Sequence, residues 1–177
     1  CALPIFTSGN TSLATVDAMT GEVTGVAAGS PVISFTSGST GCYTTMPVII
    51  NPTPAVYAVT GGGGYCPSGT GVHIGLASSA SGIDYQLYYE TDPTGMPLVH
   101  GSTSGLDFGV FAGIGNYTVM ATNTITGCTS NMLGSATVTN FIAPAAFNVT
   151  GGGSYCAGGS GVVIDILSDF GVNYELY

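Results

Sequence analysis

The chain contains no lysine, no arginine and no tryptophan in 177 residues, and only nine aspartates and glutamates, for a formal charge of −9. Charged residues make up 5% of it, against roughly a quarter in ordinary soluble domains. The missing cations exclude whole classes of function. Nucleic-acid binding neutralises phosphates with Lys and Arg, and adsorption to anionic lipid needs the same groups. A lysine-based isopeptide staple has no amine to form from, and proteases that cut at Lys or Arg find no site. The nearest thing to cations is two histidines. Apolar residues reach 45% with a mean hydropathy of +0.47, yet no stretch approaches the ~18 uninterrupted apolar residues of a membrane helix. No segment of useful length has helical periodicity either. What remains is a β-protein surfaced with Ser, Thr, Gly and Asn, with no membrane insertion and no nucleic-acid partner expected.

Glycine is abundant, and its distribution is periodic. "PAVYAVTGGGGYCPSGTGVHIGL", from residue 54, faces "PAAFNVTGGGSYCAGGSGVVIDI", from residue 144, without a gap. After one deletion, "GIDYQLY" faces "GVNYELY". A period near ninety residues is too long for a solenoid and suits a β-sandwich module. The expected organisation is a first module over 1–53, a complete repeat over 54–143 and the start of the next over 144–177. The joints fall at 51–56 and 143–146, punctuated by Pro52, Pro54 and Pro144. "NYELY" ends within a strand pattern and Cys1 begins mid-module without a basic leader, so the chain reads as a window from a longer secreted protein.

Within the complete repeat, alternation and turn signals predict strands at "VYAVT", "GVHIGLA", "IDYQLYY", "GLDFGVF", "NYTVMATN" and "SATVTNFI". Tyr85, Leu87 and Tyr89 share one face of their strand, and Gln86, Tyr88 and Glu90 the other. Tyr117 is placed for a tyrosine corner, its hydroxyl bonding back to nearby backbone. The two glycine runs lie between the first strand and the next. Phosphate binding would need a strand–loop–helix context and, in the Walker form, a lysine; neither is present. The glycine run is therefore expected to be a structural joint beside Tyr65 and Tyr155, anchored by Cys66 and Cys156.

Side chains that could carry chemistry are sparse. His73 alternates with Val72 and Ile74, and Val163 replaces it in the second copy, which fits a surface histidine rather than a catalytic one. His100, in "PLVHGSTSG", has no Cys, Asp or Glu beside it. Zinc ligation needs clustered donors, and no C-x-x-C or H-x-x-x-H occurs. The densest acids are Asp165, Asp169 and Glu175, but no D-x-D-type calcium loop is present. No G-x-S-x-G elbow accompanies the serines. Neither catalysis nor a cofactor is expected. Tyr88 and Tyr89 are the available candidates for a sugar platform, with core or interface packing the expected role, and Asn10, Asn116 and Asn148 stand in N-x-[ST] sequons.

The five cysteines, Cys1, Cys42, Cys66, Cys128 and Cys156, fit an oxidising compartment. Pairing in chain order joins Cys66 to Cys128 and Cys1 to Cys42, leaving Cys156 over. In immunoglobulin topology the first turn and the last hairpin lie at opposite ends. Either the glycine run bends Cys66 back, or the bonds join neighbouring chains.

"SLATVDAMTGEVTGVAAGSPVISFT" resembles the latter half of a bacterial group-2 immunoglobulin-like domain. Ala14, Thr15, Val16, Gly21, Val23, Thr24, Gly25, Val26, Ala28, Gly29 and Ile33 carry the likeness, while Phe6 stands where such domains often have Trp. The whole pattern, with "VTGGGSYC" and "TGC" signatures, resembles the giant repeat-built surface proteins of Bacteroidota, made of tandem immunoglobulin-like and PKD-like modules. The resemblance implies tandem all-β sandwiches, type IX secretion, an extracellular or cell-surface location and a role in adhesins or surface filaments. The partners implied are further copies of the chain in a multi-chain filament, neighbouring repeats, and surface glycans or target cells reached through other domains. The rival reading is a carbohydrate-binding accessory region of a secreted hydrolase.

Overall fold

The computed structural model describes residues 5–175 and 177, and every regular element among them is a strand. The first module contributes β1 (Ile5–Ser8), β2 (Ala14–Val16), β3 (Val23–Gly25), β4 (Val32–Thr36) and β5 (Tyr43–Pro47). A three-stranded sheet runs β1-β4-β5, with β2 and β3 forming a separate ribbon. Phe6 faces Phe35 across the sheet, their rings 5.0 Å apart. Phe6, Val23, Ile33, Phe35 and Met46 line an open apolar groove of about 500 Å³ on this face.

The complete repeat follows with β6 (Val59–Gly61), β7 (Gly63–Tyr65), β8 (Val72–Leu76), β9 (Ile83–Tyr89) and β10 (Asp92–Pro93). It continues with β11 (Val99–His100), β12 (Leu106–Phe111), β13 (Gly115–Asn123), β14 (Thr129–Asn131) and β15 (Ala136–Asn140). One sheet runs β10-β9-β13-β15-β7, with β11 on β9 and β14 on β13; the other runs β12-β8-β6. The β9–β13 ladder extends from Ile83↔Asn123 to Tyr89↔Tyr117. Alternate residues of these strands point into the core, as pleating requires. Ile74, Leu76, Ile83, Tyr85, Leu87, Tyr117, Val119 and Val138 are buried there with Phe108 and Met132. Fully burying a side chain of this size contributes about 1.5–3 kcal/mol. A bulge between Asp107 and Gly109 gives β12 its extra residue, and Phe108 is buried.

Beyond Asn140 the third stretch forms β16 (Val149–Gly151) and β17 (Ile164–Ile166), which pair with each other. Their register is that of β6 and β8 shifted by ninety residues: Val59↔Leu76 becomes Val149↔Ile166, and Gly61↔Ile74 becomes Gly151↔Ile164. The chain is all-β, a tandem of immunoglobulin-like sandwich modules.

Candidate structural joint: the glycine crossing and the cysteine hairpins

The glycine run is where one strand changes sheets. β6 pairs with β8 in one sheet, and two residues later β7 pairs with β15, in parallel, in the other. Gly61, Gly62 and Gly63 make the crossing at φ of 89°, 80° and 112°, a region that L side chains enter at a cost of roughly 1–2 kcal/mol. Space demands glycine as well. A Cβ on Gly61 would fall 2.0 Å from the His73 carbonyl oxygen, and one on Gly62 2.7 Å from that of Thr137. The Gly62 N–H donates to the His73 carbonyl at 2.9 Å, which locks the crossing. Gly151, Gly152 and Gly153 repeat its backbone turn at 89°, 77° and 139°, with Gly152 donating to the Val163 carbonyl at 2.8 Å, although among the described residues no second sheet receives the strand. The joint expected from the sequence is thus a fixed crossing between sheets.

Cys66 follows directly, in a turn closed by Gly69 N–H on the Cys66 carbonyl at 2.7 Å; Gly159 and Cys156 repeat it at 2.9 Å. Tyr65 ties this loop to the base of the module by donating its hydroxyl to the Ala112 carbonyl at 2.6 Å.

A second repeated device is the Thr-Gly-Cys hairpin. Between β4 and β5, Ser37 N–H donates to the Cys42 carbonyl at 2.8 Å and Gly41 N–H to the Ser37 carbonyl at 2.9 Å. Between β13 and β14, Asn123 and Cys128 make the first bond at 2.9 Å, and Gly127 and Asn123 the second at 2.9 Å. Gly41 and Gly127 share a φ of 71°. Cys42 N–H reaches Thr40 Oγ1 at 3.3 Å, and Cys128 N–H reaches Thr126 Oγ1 at 3.4 Å. The two hairpins are one structure used twice.

Cys42, Cys66, Cys128 and Cys156 all carry free thiols. Cys66 and Cys128 do not meet, because they flank opposite ends of β13. Tyr65 pairs with Asn140, two residues past the Val138 that faces Gly115, whereas Cys128 lies past Asn123. The glycine crossing does not bend Cys66 back. Cys1, expected to pair with Cys42, lies outside the described residues.

The described titratable side chains are scattered in pairs. Among the described residues, no three His, Cys, Asp or Glu side chains converge to hold a metal. His73 Nδ1 lies 2.9 Å from Asp107 Oδ2, with both side chains more than half exposed, so the pair contributes little to stability. The Asp107 carboxyl is held below the usual range, first by the Gly109 N–H and then by His73. His100, which has no acid beside it in sequence, pairs with Asp84 because β11 lies against β9. Nothing local signals that contact; the signal would have been the β9–β11 register. Tyr89 packs on Tyr117 with ring centres 5.0 Å apart and donates to the Ile114 carbonyl at 2.8 Å. It supports the corner instead of standing free as a flat platform. Tyr117 completes that corner by donating to the Gly113 carbonyl at 3.1 Å. Of the sequon residues, Asn10 caps its own turn by accepting from Ser12, and Asn116 accepts from the Thr137 hydroxyl at 2.7 Å.

No helix among the described residues is long and apolar enough to cross a membrane. No curated protein gives a significant match to the chain. Residues 5–48 of the 177 match the family model of the bacterial Ig-like domain (group 2), and it is to that type that the first module is similar.

Proposed function

We propose that this chain is a structural shaft segment of a very long extracellular adhesin or cell-surface filament, and that it is not a catalyst. The observation that supports this best is the repetition of whole devices: the same glycine turn at residues 60–66 and 150–156, and the same cysteine hairpin at 37–42 and 123–128. Conserving a module's ends between copies while letting its surface histidine change to valine fits a spacer whose role is to continue the array. The absence of cations fits a surface-exposed protein that offers no Lys or Arg cleavage sites. On this reading the protein is exported by the type IX route of the surface proteins it resembles. With nine acids dispersed along the chain, like copies repel one another weakly. The chain therefore associates laterally with copies of itself in a multi-chain filament.

The test is imaging of native cell-surface material labelled with antibody against residues 54–143. Fibres several modules wide, decorated along their length, are the expected result. Label confined to a tip, or strands one module wide without lateral contacts, would overturn the shaft or the multi-chain arrangement respectively.

A further inference from the structure

The four described cysteines belong to two kinds of place, and these lie at opposite poles of a module. β13 runs from Gly115 to Asn123, which at strand geometry covers about 27 Å. Cys66 lies beyond its Gly115 end, since Phe141 N–H donates to the Tyr65 carbonyl at 2.8 Å and Tyr65 reaches Ala112. Cys128 lies beyond its Asn123 end, where Thr124 N–H also bonds the Gly82 carbonyl at the start of β9. Bridged cysteines need Cα atoms within about 7 Å. Distance therefore rules out a Cys66–Cys128 bond inside one module.

Chain direction assigns each pole. β7 runs parallel to β15, and β15 runs antiparallel to β13. The chain therefore comes in from the side of the Cys128 pole, and Leu133 N–H donates to the Tyr57 carbonyl at 2.9 Å level with the middle of β13. It leaves past Phe141, at the Cys66 pole. Cys42 occupies the same hairpin position in the first module, and Cys156 the same glycine loop in the third stretch. When modules stack end to end, the exit pole of one meets the entry pole of the next. A glycine-loop thiol then faces a hairpin thiol across the junction between two repeats of the 54–143 kind. Cys42 and Cys66 are exposed and Cys128 half-buried, so none is walled off by its own core.

We infer that the glycine-loop cysteine of one module forms a disulfide with the Thr-Gly-Cys hairpin cysteine of the module stacked on its exit pole. The bond would bridge each such joint and leave the modules themselves uncrosslinked. Its formation takes two electrons and two protons from the thiol pair and passes them to a disulfide oxidant such as glutathione disulfide, leaving two glutathione thiols. The inference deepens the shaft reading but is tested separately, because disulfide connectivity is measured without reference to cellular location.

Two forms of the protein test it: the 177-residue chain, and the same chain with residues 54–143 duplicated in tandem. Each is oxidised with glutathione disulfide, and bonds are mapped by mass spectrometry of a peptic digest without reduction. In the single chain, the expected bonds join Cys66 or Cys156 of one copy to Cys42 or Cys128 of another, and covalent dimers double the mass. In the duplicated chain, Cys66 of the first copy should bond the hairpin cysteine of the next within a monomer. Cys66→Ser in that first copy should abolish this bond and leave circular dichroism unchanged. Three results would each overturn the inference: a Cys66–Cys128 bond within one module, like-with-like pairs as frequent as mixed ones, or a duplicated chain whose junction thiols stay free under oxidation.

Discussion

Residues 54–88 and 144–177 are close copies in sequence, and the structure treats them alike in one respect and differently in another. The ladder between the first two strands has the same register in both, and the three glycines have matching backbone angles. Burial does not match. Ile74 is 0% exposed and its counterpart Ile164 is 51% exposed; Tyr85 is 0% exposed and Tyr174 is 39%. The first copy has β13 and β15 closing over it, whereas among the described residues no strand closes over the second. The first ladder and the glycine turn are thus written locally, in glycine placement and alternation. The core arises from strands some fifty residues downstream. The first module makes the same point from its other half. Met46 and Met132 sit four residues after equivalent cysteines, but Met46 is 70% exposed and Met132 6%.

The comparison can be broken most forcefully at the core. Ile74→Ala should cost about 4 kcal/mol in the complete repeat, as transfer and cavity terms add. Ile164→Ala should cost under about 1 kcal/mol because little surface is lost. Urea denaturation followed by tyrosine fluorescence measures both; equal losses would mean that the third stretch has a closed core of its own. Next comes the crossing. Gly62 and Gly152 have φ of 80° and 77°, but an added Cβ meets the Thr137 backbone at 2.7 Å at Gly62 and nothing within 4 Å at Gly152. Gly62→Ala should cost about 3 kcal/mol, the sum of left-handed strain and a backbone clash. Gly152→Ala should show the strain alone, roughly 1–2 kcal/mol. Equal costs would show that β15 does not constrain the crossing.

A smaller effect belongs to the corner. Tyr117→Phe removes the bond to the Gly113 carbonyl and should cost about 1 kcal/mol, with the denaturation slope unchanged. The subtlest handle is alkaline pH. Burial pushes the Tyr85 and Tyr117 phenols up from 10.0, and at Tyr117 the neighbouring Tyr89 adds to it. A raised native value means that the unfolded state ionises first. The stability these tyrosines confer is therefore intact below pH 10 and lost as pH rises through their native values. A denaturation series from pH 8 to 11 should fall more gently in Tyr117→Phe than in the parent chain; parallel curves would remove Tyr117 from the account.

Much of the fold was legible in the sequence because the complete repeat alternates cleanly. The strand expected at "IDYQLYY" is β9 residue for residue, and "NYTVMATN" differs from β13 by one. The strands outside these patterns, β7, β10, β11 and β14, are two or three residues long, too short to alternate. β7 is Gly-Gly-Tyr and β14 is Thr-Ser-Asn, and each is a strand only because a neighbour offers it a ladder. The sequence marks the glycine run as a joint anchored by its cysteines; both of those thiols are free, and the run's task of carrying one strand between two sheets depends on where β15 lies. The poles of the cysteines were foreseeable from topology. The pairing of His100 with Asp84 was not, since it needs the β9–β11 register.

The parallel β7–β15 ladder has a consequence for a chain under tension. A pull along the array draws β7 toward the entry pole and β15 toward the exit pole. Because the two strands lie side by side and point the same way, the pull slides one along the other instead of peeling them apart. The bonds from Val138↔Gly63 to Asn140↔Tyr65 then bear the load together and must yield together, whereas a ladder opened from one end gives way a bond at a time. Forced unfolding is governed by the unfolding rate, so this short glycine-bearing strand sets mechanical endurance out of proportion to the surface it buries.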